Sequence, residues 1–68
     1  MTNCDERMMK WFSYDHLPAE LRAMSMQFHS LADLICIQIE PGPERTVALR
    51  KLLESKDAAV RAVVHPGG

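Results

Sequence analysis

The segment running Glu40, Pro41, Gly42, Pro43 constrains this chain more than any other. Two prolines around one glycine remove backbone donors and fix φ, so neither a helix nor a central strand can run through them. On either side lies a long stretch with helical spacing. Before the break, Leu21, Met24, Phe28, Leu31 and Ile35 recur at intervals of three and four. After it, Leu49, Leu53, Val60 and Val63 form a second stripe, with Val47, Leu52 and Ala59 nearby. Each stretch opens on a proline, Pro18 and Pro43, which suits the first helical position because its missing N–H would be unpaired there anyway. Glu20 and Glu44 then place negative charge in the first turns, where the helix dipole favours it.

The expected helices, 18–39 and 43–64, are equal in length, about 33 Å each at about 1.5 Å per residue. Equal arms joined by a tight turn make an antiparallel helical hairpin, so the fold class is all-α. Arg50 with Glu54, and Asp57 with Arg61, sit four apart and support the second arm. Residues 1–17 read as an N-terminal segment, a loose tail or short irregular helix over its first ten positions. Residues 65–68 read as a tail, and there is no second domain or internal repeat.

At 68 residues the chain is one domain at most, and a chain of this size needs a disulfide, a metal or a partner to bury enough surface. Cys4 lies in the polar tail and Cys36 in an apolar run. Two cysteines without a signal peptide are not a secreted framework, and both are expected to stay reduced. His16, His29 and His65 share none of the short paired spacings of structural zinc sites with them, and no cofactor is expected. Self-association remains. The first arm carries Met26, Leu34, Cys36 and Ile37 outside its main stripe, more apolar surface than one partner helix covers, so a homo-oligomer is expected.

No apolar run reaches the about 18 residues of a membrane span, so a soluble, cytosolic chain without membrane contact is expected. The net charge is −1, with eight Lys and Arg interspersed among nine Asp and Glu, so no broad positive field exists to attract DNA. Any anion must be held locally. Catalysis finds little support: Ser25 and His29 are one turn apart, but no orienting acid or oxyanion donor stands beside them. Asp15 with His16 reads as helix-start chemistry, and no glycine-rich phosphate loop is present.

The informative cluster is Lys10 to Pro18, KWFSYDHLP, which holds three of the chain's four aromatic residues. Trp11 and Phe12 can cap the open end of the hairpin as packing material. Tyr14, in a non-helical stretch, can instead stack on a nucleobase while a nearby Arg engages phosphate. Because the arms are antiparallel, Arg61 near the end of the second should fold back towards the start of the first, beside Tyr14.

WFSYDHLP, followed by FHSLADL and then by GPERTVALRKLLESKDAAVRA, resembles the small phage anti-CBASS proteins, whose helical-hairpin family also includes sponges for cyclic ADP-ribose signals. The likeness spans residues 10–61. It implies a non-enzymatic protein in the cytoplasm of the infected bacterial host that sequesters cyclic dinucleotides and cyclic trinucleotides, as a homohexamer of hairpins. Tyr14 matches the family's base-stacking tyrosine, Trp11 and Phe12 its accompanying aromatic position, and Arg61 an arginine of the trinucleotide pocket. The family's dinucleotide lysine on the first helix is missing, since no lysine lies between Lys10 and Lys51; His29 or Arg22 stands in its place. The competing expectation is a hairpin adaptor that binds a host protein through Met24, Met26 and neighbouring apolar residues.

Overall fold

A computed structural model describes residues 7–67. Three elements follow one another: a 3-10 helix, η1 (Arg7–Phe12), then α1 (Ala19–Gln38) and α2 (Pro43–Val64). α1 and α2 pack as the expected hairpin, and η1 lies against both. The Cα radius of gyration is 12.3 Å. A compact chain of this length would have about 11 Å, so the molecule is elongated, 37 × 23 × 15 Å.

Both helices start where their prolines direct. Pro18, at φ −56° and ψ 155°, precedes α1 and accepts the first helical bond, from Arg22 N–H at 2.8 Å. Pro43 is the first residue of α2, after an extended Gly42 whose carbonyl takes Thr46 N–H at 3.2 Å and the Thr46 hydroxyl at 3.3 Å. α1 is one residue shorter at each end than the expected 18–39, because Pro18 and Ile39 are the flanking residues with non-helical ψ. α2 coincides with its expected span. Beyond α2 the chain turns at Gly67, whose φ of 79° suits glycine.

The packed stripe of α1 differs from the expected one. Ser25, Ala32 and Cys36 are its buried residues, with Phe28 and Ile35 partly buried beside them, while Leu31 faces outward. Small side chains lie at the centre because Phe12 and Leu49, both fully buried, fill the space between the elements. A large side chain at Ala32 would compete with those two for the same volume. The core, Met9, Phe12, Ala32, Cys36 and Leu49, is therefore shared by all three elements. Cys36 also departs from expectation: it is disulfide-bonded. Cys4 lies outside the described residues, as do the other positions of 1–6.

Two basic side chains in α2 are buried, and each is spent on backbone carbonyls. Arg45 Nη1 donates to Cys36 O at 2.9 Å and Ile39 O at 3.1 Å, satisfying the C-terminal end of α1 from the first turn of α2. Lys56 Nζ donates to Trp11 O at 2.6 Å and Ser13 O at 3.5 Å, holding the end of η1 on α2. The prolyl turn is thus locked by Arg45 and the open end by Lys56.

Among the described residues, several large apolar side chains on the outer side of α1 are exposed. Leu34 is 48% exposed and Ile37 61%, with Met26 and Leu31 flanking them. Leu34 falls about 180° around the helix from Ser25 at 100° per residue, so the apolar surface lies opposite the packed stripe. Among the described residues, no helix is long and apolar enough to cross a membrane.

Candidate functional site

The three rings of the KWFSYDHLP segment have three different environments. Phe12, the last residue of η1, is fully buried against the core. It has the packing role that the sequence left open, and its face is not available on the protomer surface. Trp11 is 58% exposed, with Lys10 Nζ 5.2 Å from its ring centroid. That spacing allows a cation–π contact and places a positive charge beside an accessible aromatic surface. Tyr14 is half-buried and meets His29 edge-on, with ring centroids 5.3 Å apart and planes at 67°.

The backbone around Tyr14 explains that pose. Ser13 N–H donates to Lys10 O at 3.4 Å as η1 ends, and Leu17 N–H donates to Tyr14 O at 3.1 Å. The second bond closes a turn over Asp15 and His16, which are exposed. Tyr14 therefore stands at the first position of a closed turn, between η1 and α1. His29 approaches it from the third turn of α1, where the side chain is half-buried. A T-shaped pair of this kind leaves part of each ring, the Tyr14 hydroxyl and an imidazole nitrogen for other partners.

Lys56 lies beneath this segment. It is only 7% exposed, and its Nζ is 5.9 Å from the Phe12 ring centroid as well as bonded to the two carbonyls around that residue. Burial lowers its pKa from the usual 10.5, with the neighbouring Asp57 carboxylate acting in the opposite direction.

Arg61 occupies a separate place. It lines an open concavity of about 340 Å³ with Ala58, Ala62, His65 and Gly67, all from the end of α2 and the tail after it. Tyr14, expected beside Arg61, is not among the residues that line this concavity. His65 was missed as a companion of Arg61. The four-residue spacing of 61 and 65 was the signal, since His65 N–H donates to Arg61 O at 2.7 Å and keeps the helical register to the last turn.

The remaining candidates separate. Arg22 is exposed on the first turns of α1. The Ser25 hydroxyl is fully buried and makes no hydrogen bond among the described residues, so it is not joined to His29. Among the described residues, no group of three or more His, Cys, Asp or Glu is arranged to hold a metal. The protomer thus presents an aromatic–imidazole pair at one surface and an arginine–histidine concavity at another. Comparison with models of known families, with curated proteins and with solved structures found no match.

Proposed function

We propose that this protein is a sponge for cyclic oligonucleotides: it binds cyclic dinucleotides and cyclic trinucleotides without cleaving them and keeps them from the effectors they would activate. The observation that carries the reading is the Tyr14–His29 pair, an aromatic face and an imidazole held 5.3 Å apart by a closed turn. A stacked nucleobase gains roughly 1–3 kcal/mol on such a face. An imidazole within reach can donate to a phosphate, as the helix-one lysine of the anti-CBASS family is expected to do. Trp11, accessible and accompanied by Lys10, extends the aromatic surface, while Phe12 supports it from the core. Arg61 and His65 in their own concavity suit a second, separate phosphate-bearing ligand.

In this reading the exposed apolar side of α1 is where hairpins join, as a homohexamer, and the protein acts in the cytoplasm of a phage-infected bacterium. Cys36 packs with Ala32 and Leu49 as a disulfide-bonded residue, an uncommon state in a compartment that keeps thiols reduced. The same exposed surface of Met26, Leu34 and Ile37 favours the second reading, an adaptor that docks on a host protein.

One release experiment separates the readings. The protein is incubated with a cyclic dinucleotide, separated from free ligand and heat-denatured, and the supernatant is analysed. Recovery of intact ligand supports the sponge. Linear product would make the protein an enzyme, and absence of retained nucleotide leaves the adaptor.

A further inference from the structure

We infer that Lys56 is the positioning residue for Tyr14: by clamping the backbone on both sides of Phe12, it sets the pose in which the Tyr14 ring meets His29. As a statement about ligand binding, this rests on the sponge reading; as a statement about the unliganded protein, it does not.

The geometry is specific. η1 is only six residues long, and a 3-10 run of that length holds its own shape poorly. Its C-terminal carbonyls need partners from elsewhere. Lys56 Nζ supplies them at Trp11 O, 2.6 Å, and Ser13 O, 3.5 Å, across 45 and 43 residues of chain. Tyr14 directly follows the second anchored residue. From there to Leu17 the turn is closed by its own hydrogen bond, so one anchor upstream fixes where the whole turn starts. His29 reaches the same point from α1, which is held separately against α2. Beside the core packing of Phe12 with Leu49, Lys56 is thus a polar link through which α2 sets where η1 places Tyr14 relative to α1. A lysine used only for surface charge would not be drawn to 7% exposure or spend its donors on main-chain oxygens.

Two variants and two readouts test this. Lys56→Met keeps the aliphatic stem and removes the donors; Lys56→Arg keeps donors in the same direction. Without ligand, the His29 ring protons are followed by NMR, since the neighbouring Tyr14 ring displaces them from random-coil positions. Amide exchange reports α1 and α2. The expected result is that Lys56→Met brings the His29 ring shifts to those of Tyr14→Ala while both helices keep their protection, and that Lys56→Arg retains most of the displacement. With cyclic di-AMP as probe, Lys56→Met should weaken binding at least tenfold and Lys56→Arg by much less. His29 shifts unchanged in Lys56→Met would overturn the inference. Equal loss of α1 and α2 protection in both variants would also overturn it, making Lys56 a general stability determinant. Should the wild-type protein retain neither cyclic di-AMP nor any other cyclic dinucleotide or trinucleotide, the sponge reading falls, and the ligand-free shifts still decide the role of Lys56.

Discussion

Arg45 Nη1 donates to the carbonyl of Cys36 at 2.9 Å, so the first turn of α2 satisfies the last turn of α1 across the prolyl break. The same nitrogen reaches Ile39 O at 3.1 Å, just past the helix end. A positive charge at this terminus also matches the negative end of the α1 dipole. The hairpin angle therefore depends on one side chain as well as on Pro41 and Pro43.

Replacing Arg45 with Met should destabilise the hairpin by roughly 1.5–3 kcal/mol, the range for hydrogen bonds made by a charged group. The measurement is urea denaturation followed by circular dichroism. A midpoint equal to wild type would show that water satisfies these carbonyls as well as Arg45 does.

The existence, order and extents of α1 and α2 were legible because prolines and a glycine act locally, through φ and missing donors. The buried stripe was not. Reading periodicity gives weight to large apolar residues such as Leu31, whereas the contact is centred on Ser25, Ala32 and Cys36, whose smallness matters only because Phe12 and Leu49 fill the gap. Arg45 and Lys56 were invisible for the same reason: their partners are carbonyls 9 and 45 residues away, and no local pattern marks such a pairing. At the site, the aromatic segment stood out by composition, but the partition into a buried Phe12, an exposed Trp11 and a Tyr14 facing His29 follows from the turn between η1 and α1. Arg61 was placed beside Tyr14 on topology alone, and its actual neighbours come from α2 and the tail.

The surface around Leu34 and Ile37 should mediate self-association, since a helix apolar on both sides is stable in water only when both are covered. Light scattering at micromolar concentration should give a mass several times 7.7 kDa for the wild type. The double variant Leu34→Glu with Ile37→Glu should run as a monomer with its helical spectrum intact, because neither side chain belongs to the core. A wild-type monomer would refute the assembly.

Tyr14→Ala should weaken cyclic dinucleotide binding by roughly 1–3 kcal/mol, the worth of one base–aromatic stack, and Tyr14→Phe should retain most of it. Helix content should not change, as the ring is half-buried and lies outside the core cluster. Isothermal titration and circular dichroism on the same samples decide the matter: unfolding of Tyr14→Ala would make the ring packing material.

The buried Lys56 carries a pH signature. Burial lowers its pKa from 10.5, so at pH values between the folded and unfolded pKa the unfolded chain binds more protons than the folded one. Stability contributed at this position should therefore rise with pH through that window, and the cost of burying the charge is fully present below it. Comparing urea midpoints of wild type and Lys56→Met from pH 7 to pH 10.5 isolates the effect, since other groups cancel in the difference. A difference that stays flat, or moves against wild type as pH rises, contradicts the desolvation account.

On the sponge reading, Arg61 should separate the two kinds of ligand. Its side chain is exposed, and its charge suits the C-terminal end of α2, so substitution should alter stability only slightly. Its guanidinium offers two hydrogen bonds to a phosphate in a fixed fork that lysine does not reproduce. Losing a charge-assisted contact costs roughly 1.5–3 kcal/mol at each site, and a ligand of threefold symmetry held by three protomers would lose it three times. Arg61→Ala should therefore remove cyclic trinucleotide binding, and Arg61→Lys should weaken it to a lesser degree, while cyclic dinucleotides still bind at Tyr14 and His29. Isothermal titration of both ligands against both variants measures this directly. Equal loss of the two ligands would mean that Tyr14 and Arg61 serve a single site formed between protomers; unchanged trinucleotide binding would leave the Arg61–His65 concavity without a ligand role.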